Sequence, residues 1–194
     1  MNIGVLGGTF DPPHIGHLIL AESARIELSL QKIFFLPNYV SPFKEEMHSL
    51  DADVRAEMVA LAITGNKNFS IEFSEVKKRE VSYTVDTLRS LKVKYPDEHL
   101  FLLMGADAFN EFHLWKEPDE IVKLSTLAIA LRPGNKIDLT SHPFGEFATL
   151  FSIPQIDISS TDIRQRIREG KSIQYLVPWT VQTFIESKRL YRDS

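Results

Sequence analysis

The 194-residue chain carries 22 basic and 26 acidic residues, a formal charge of −4, with 43% hydrophobic and 25% charged residues. That composition excludes disorder and lacks the basic footprint of a nucleic-acid-binding domain, while still permitting a local cationic pocket for a small anion. There is no cysteine, so disulfides and thiolate-held zinc are excluded too. Met1–Gly8 has no basic n-region and breaks at glycines, unlike a signal peptide. No stretch reaches the roughly 18 apolar residues of a membrane-spanning helix. A cytoplasmic protein is expected, in which the sequon Asn68-Phe69-Ser70 has no meaning.

Ile3–Leu6 reads as a buried strand stopped by Gly7-Gly8. A helix follows from about Ile15 to Leu28, with Leu18, Ala21, Ala24 or Arg25, and Leu28 on one face. Ile33–Leu36 is a second strand, ended by Pro37. Asp53 is placed to cap a helix bearing Met58, Leu61 and Ala62, and Phe69–Phe73 alternates like a half-buried strand. Ser82 or Thr84 caps the next helix, with Val85, Leu88 and Leu91, which stops before Pro96. Leu100–Met104 is a fully apolar strand, Pro118 opens a helix through Leu124, and Leu127–Leu131 is another strand closed by Pro133-Gly134. Ser159-Ser160-Thr161-Asp162 opens a helix ending at Gly170, and Pro178 begins a last one through Leu190. Composition marks Asn38–Leu50 and Gly134–Ala148 as mobile loops. Alternating strands and helices, with no repeat or linker, predict one α/β domain over residues 1–194. It is a Rossmann-like, doubly wound, mostly parallel sheet with helices on both faces. Ligands bind such sheets at the carboxyl ends of the strands, near the switch in strand order.

Directly after the first strand stands Gly7-Gly8-Thr9-Phe10-Asp11-Pro12-Pro13-His14-Ile15-Gly16-His17. The glycines let backbone approach a ligand, and His14 and His17 share one face at the start of a helix. Gly16 between them leaves that face open, and a helix N-terminus attracts anions. The rival reading, a zinc site, needs a third ligand such as His113 or Asp107. Near the other end, Ile158-Ser159-Ser160-Thr161-Asp162-Ile163-Arg164 offers hydroxyls to cap a helix, amides for phosphate oxygens, and a planar guanidinium one turn further in. Gly170-Lys171-Ser172 is a decoy for a P-loop: it follows a helix, and Gln165 stands where the first glycine belongs. There is no G-x-G-x-x-G fingerprint, which disfavours a dehydrogenase.

The two segments resemble the H-x-G-H and I-S-S-T-x-x-R signatures of the nucleotidyltransferase superfamily. Ser82-Tyr83-Thr84-Val85-Asp86-Thr87-Leu88, Gly105-Ala106-Asp107 and Trp115-Lys116 look like the substrate-side motifs of its bacterial nicotinate mononucleotide adenylyltransferases. The resemblance runs in order from Gly7 to Arg164, nearly the whole chain. It implies that ATP is held by Gly7, Gly8, Thr9, Phe10, Gly16, His17, Ile158, Ser159, Ser160 and Arg164. It also implies that Trp115 stacks on the pyridine ring, and that Thr84 and the amide of Lys116 hold its carboxylate. Gly105 and Asp107 then lie on the ribose or metal side. Lys44 looks like the family's loop lysine, although Phe43 stands where many members have His, so that histidine's role does not carry over. Arg132, at the end of a strand, is a further phosphate candidate.

The implied reaction is in-line attack by the 5′-phosphate of nicotinate mononucleotide on the α-phosphorus of ATP. His14, His17, Lys44 and Arg164 would stabilise the growing charge, and Mg²⁺ would be bound mainly through ATP phosphates. The expected partners are ATP and nicotinate mononucleotide, with no nucleic acid and no membrane, and with room for a homo-oligomer. The rival readings are an adenylyltransferase for nicotinamide mononucleotide or phosphopantetheine, and a non-catalytic nucleotide sensor.

Overall fold

A computed structural model describes residues 1–40, 50–134 and 136–192. Six strands form one sheet: β1 (Asn2–Gly8), β2 (Lys32–Pro37), β3 (Phe69–Ile71), β4 (His99–Gly105), β5 (Thr126–Leu131) and β6 (Ala148–Ser152). Their order is β3-β2-β1-β4-β5-β6, and every neighbouring pair is parallel. The helices are α1 (Ile15–Glu27), α2 (Ala52–Ala62), α3 (Ser74–Lys78), α4 (Thr84–Lys94), α5 (Ala106–Asn110), α6 (Pro118–Leu124), α7 (Ser160–Arg168) and α8 (Trp179–Lys188). Among the described residues no helix is long and apolar enough to cross a membrane.

The central strands read as near-continuous apolar runs because both faces of the sheet are covered. On one face Ile3, Val5, Phe34, Leu100, Leu102 and Ile129 pack with Val85, Leu88 and Leu91 of α4 and with Phe109, Phe112 and Ile121. On the other, Leu6, Ile33, Phe35, Leu103 and Ala128 pack with Ala21 and Ala24 of α1 and Val59 of α2. A third cluster joins α2, α7 and α8 through Met58, Ile163, Val181 and Ile185. The chain builds outward from β1 to β2 and β3, then returns to place β4 on the other flank of β1. The crevice between the carboxyl ends of β1 and β4 is therefore the topological switch point, where such sheets bind ligands.

Several local expectations shift by a residue or more. Asp51, not Asp53, caps α2: its carboxylate accepts from the Asp53 amide at 2.8 Å. Neither Ser82 nor Thr84 caps α4; Tyr83 holds that position with no side-chain cap, and the Ser82 hydroxyl instead accepts from the Tyr39 amide at 2.9 Å. β3 ends at Ile71, two residues short of the expected Phe73, and a short α3 that the sequence did not suggest begins at Ser74. Gly170 has φ +67 just beyond α7, the left-handed turn of a helix end, as expected of the decoy.

The stretch expected as a mobile loop before β6 contributes to the core instead. Ile137 and Leu139 pack against the first cluster and Phe144 is buried within it. A 3₁₀ turn at Gly145–Phe147 then leads into β6, an edge strand that only Phe151 of its five residues buries. That single buried side chain explains why β6 leaves no apolar run to read.

Candidate active site

A cavity of about 410 Å³ opens at the switch point. Gly7, Gly8 and Thr9 from β1 and its exit, with Gly105 from the end of β4, border it. A Cβ at Gly7 or Gly105 would meet nothing within 4 Å, so the bare backbone there faces open space that a ligand can enter closely. Gly8 is bare for another reason: a Cβ would come within 3.1 Å of the Phe10 ring. Phe10 is buried with φ 52, a left-handed conformation costly for a bulky residue, and packs edge-on against His17 with centroids 5.0 Å apart.

His17 borders the cavity, and His14 lies behind it. Their rings stack with centroids 3.7 Å apart, and the His14 amide donates to Nδ1 of His17 at 3.1 Å. With Nδ1 accepting, neutral His17 carries its proton on Nε2, which makes that nitrogen a donor. His14 is 8% exposed, and its Nδ1 is buried with no hydrogen-bond partner. Desolvation holds its pKa down at about 4, so the ring is uncharged at neutral pH. Gly16 is needed chiefly to seat that ring: a Cβ would lie 3.0 Å from His14 Nδ1.

The second signature reaches this turn through hydrogen bonds. Ser159 caps α7, accepting from the Asp162 amide at 3.0 Å. The Ser160 hydroxyl donates to the Pro12 carbonyl at 2.8 Å, and Arg164 Nη1 donates to the Asp11 carbonyl at 2.7 Å. Ile158 is half-buried against the third cluster and fixes the approach to the helix. The strand-to-helix turn after β1 is thus fastened to the start of α7.

At the opposite end Thr84, Trp115 and Lys116 border the cavity with Ser82, Tyr83 and Glu75. α4 begins at Thr84 without a side-chain cap, so its positive end is available to an anion. Trp115 leans on Phe112 with centroids 5.4 Å apart. Lys116 reaches away to Asp86, 3.2 Å from its Oδ2, and lies 4.2 Å from the Tyr83 ring centroid. Glu75 is buried, accepting from the Thr87 hydroxyl at 2.7 Å; burial pushes its pKa up, against hydrogen bonds from Thr87 and Ser82.

Asp107, Arg132 and Arg164 do not border this cavity: Asp107 is exposed in the first turn of α5, Arg132 is exposed just past β5, and the Arg164 guanidinium is held on the Asp11 carbonyl and the Thr161 hydroxyl. Lys44 lies outside the described residues. Among the described residues no group of three or more His, Asp or Glu stands close enough to hold a metal ion, so His113 and Asp107 do not complete a zinc site with the two histidines.

Sequence reading passed over three polar residues that organise this region. Arg55 is 1% exposed and donates to the carbonyls of Leu50, Thr9, Asn38 and Tyr39 and to Asn38 Oδ1, at 2.6–3.0 Å. Its signal was legible: it shares the buried face of α2 with Met58, Val59 and Ala62. Glu75 and Asp11 carried no such pattern. Asp11 is buried at 3% exposure and accepts from the Tyr191 hydroxyl at 2.6 Å.

The sequence profile of the cytidylyltransferase-like family matches residues 5–166. A protein of Desulfitobacterium hafniense named a probable nicotinate-nucleotide adenylyltransferase is 41% identical over 98% of this chain and 95% of its own length. One of Exiguobacterium sibiricum with the same name is 41% identical over 98% and 99%. The nicotinic acid mononucleotide adenylyltransferase of Plasmodium falciparum, solved in complex with NaAD, superposes with a TM-score of 0.75 at 22% identity, covering 98% of this chain and 97% of its own. The cavity at the switch point, with a glycine-bordered histidine turn at one end and an uncapped helix start beside Trp115 at the other, lies in a chain that belongs to the cytidylyltransferase-like family, among its nicotinate-nucleotide adenylyltransferases.

Proposed function

We propose that the chain transfers the adenylyl group of ATP to nicotinate mononucleotide, giving nicotinate adenine dinucleotide and pyrophosphate. The observation that carries this reading is the two-ended cavity, found in a chain about 40% identical to relatives named for that activity. A 5′-phosphate oxygen of the mononucleotide attacks the α-phosphorus, the bond to the bridging oxygen breaks, and that oxygen leaves with pyrophosphate. The nucleophile is already an anion, so no general base is needed, and catalysis rests on positioning and on stabilising charge.

In this reading the bare backbone of Gly7 and Gly8, with Thr9, Gly16 and the amides at the starts of α1 and α7, takes ATP. Phe10 and Ile158 support those two starts, and Ser159 and Ser160 fix them. Nε2–H of His17 points a donor at the phosphates. His14 is uncharged and backs the His17 ring from behind, so the cationic share falls to Arg164 and to Lys44. Thr84 and the amide of Lys116 take the ring carboxylate, Trp115 the ring face, and Gly105 leaves room for the ribose. Asp107 and Arg132 would reach a bound substrate only from outside the cavity wall. Mg²⁺ fits as an ion carried in on ATP oxygens and water, where it would neutralise phosphate charge. Cytoplasmic placement belongs to the same reading.

Incubation with ATP, Mg²⁺ and nicotinate mononucleotide, nicotinamide mononucleotide or phosphopantetheine, followed by pyrophosphate measurement, tests it. Release with nicotinate mononucleotide alone, or strongly preferred, is expected; preference for another acceptor replaces the substrate, and no release with any leaves a sensor. His17→Ala should lower kcat by about 10²–10³, as for loss of one transition-state donor, without loss of fold. Near-full turnover in a folded His17→Ala would remove His17 from the phosphate site.

A further inference from the structure

The last described turn of the chain returns to the first loop. α8 ends with Arg189 at φ 54, and Tyr191 follows at φ 62, two left-handed conformations that residues with a Cβ adopt only when their surroundings impose them. Leu190 and Tyr191 then pack on the third cluster, between α2, α7 and α8. The outcome of this doubling back is a single polar contact: the Tyr191 hydroxyl donates to Asp11 Oδ1 at 2.6 Å, across 180 positions of sequence. Burial, then the negative charge of Asp11, drive the Tyr191 pKa far above the usual phenol range. The contact is therefore a phenol donating to a carboxylate, the charge-assisted kind of hydrogen bond.

Asp11 is the middle of the turn that carries the histidines. Its carbonyl accepts from Arg164, the carbonyl of the next residue accepts from Ser160, and the Thr9 carbonyl accepts from Arg55. Arg55 and Arg164 also lie close enough to affect the Tyr191 phenol. The main chain of the turn is thus fastened to α7 and α2, while its buried carboxylate, Asp11, is held from the last described turn of the chain.

We propose that Tyr191 is a positioning residue for adenylyl transfer, which through Asp11 sets the turn from which His17, backed by His14, meets the triphosphate and against which Arg164 is held. This rests on the adenylyl-transfer reading above. Without the phenol hydroxyl the Asp11 carboxylate loses a partner, turns toward other donors, and takes the Asp11 carbonyl and Arg164 with it.

Tyr191→Phe keeps the ring and its packing and removes only the hydroxyl. The expected result is about a 10-fold or greater loss of kcat/KM for ATP, the effect of losing a hydrogen bond to a charged group. KM for nicotinate mononucleotide should stay within about two-fold, since the ring end of the cavity is untouched. A folded Tyr191→Phe that melts lower yet keeps wild-type kcat and KM for ATP would show a purely structural tyrosine and overturn the proposal. A cycle with Asp11→Asn supplies the second arm: the double variant should lose no more than the worse single one, and additive losses overturn the proposal. ATP affinity measured by calorimetry, without acceptor, keeps the two readings apart. Inactive wild type with every acceptor defeats the transfer reading, whereas equal ATP affinity of wild type and Tyr191→Phe defeats the role of Tyr191.

Discussion

His14 illustrates how burial changes what a signature residue can do. The motif presents two imidazoles as a matched pair, but one borders the cavity and the other sits behind it with a pKa of about 4. An unfolded chain takes up this proton near pH 6.5, the folded chain only near 4. The unfolded state therefore binds more protons between those values, and stability is lost as pH falls from about 6.5 toward 4. The full difference is about 3 kcal/mol, from 1.36 kcal/mol for each pH unit separating the two. Urea unfolding at pH 7, 5.5 and 4.5 should show wild type losing stability more steeply than His14→Gln; parallel losses would mean the ring is hydrated. The sequence placed both histidines on one helix face but carried no sign of which would be buried. That distinction comes from Gly16, whose missing Cβ lets the His14 ring fold inward.

In the proposed function the start of α4 carries the choice of substrate. Nicotinate and nicotinamide differ in charge and donor pattern but hardly in shape, so discrimination depends on what faces the substituent. Donors aimed at a carboxylate would meet an amide NH₂ and be left unpaired, at about 1–3 kcal/mol each. Thr84→Ala should therefore cost nicotinate mononucleotide more than nicotinamide mononucleotide, shrinking the ratio of their kcat/KM values. A ratio unmoved by the substitution would release Thr84 from the carboxylate while leaving transfer intact. Helices of this kind were legible from spacing and from their ends: α1 and α4 lie close to where apolar periodicity put them, and α6, α7 and α8 close to where prolines and cap residues put them. The short α3 was not, and with it went Glu75, whose carboxylate accepts from the Thr87 hydroxyl of α4, twelve positions on. A contact between two elements leaves no period in either one.

For the molecule as a whole, apolar runs and glycine breaks were enough to imply a mostly parallel sheet with a site at the carboxyl ends of its strands, though not the strand order or β6. They could not reveal which irregular segments are structural. The stretch leading to β6 looked like a surface loop, yet Gly145 is buried, and a Cβ there would lie 1.8 Å from the Leu139 carbonyl oxygen. No rotamer relieves a clash with backbone, so Gly145→Ala should cost at least the ~1–3 kcal/mol of an overpacked core. At roughly 2–4 °C per kcal/mol for a domain of this size, thermal unfolding should register it plainly. An unchanged melting temperature would mean that residues 136–147 can shift away from the core without penalty. Since Phe144 packs on Phe112, which in turn backs Trp115, the same substitution should loosen the ring wall of the cavity.

Arg55 has a consequence for how this architecture can vary. Its guanidinium holds Asn38 and Tyr39 on one side and Leu50 on the other, so a single side chain clasps both ends of the segment between them. The ends of that segment are fixed by a residue outside it. Its length then becomes a nearly free variable: doubling a flexible loop costs only about 0.6 kcal/mol when its ends are already held together. Insertions or deletions between Tyr39 and Leu50 should then leave the frame that Arg55 holds as it is.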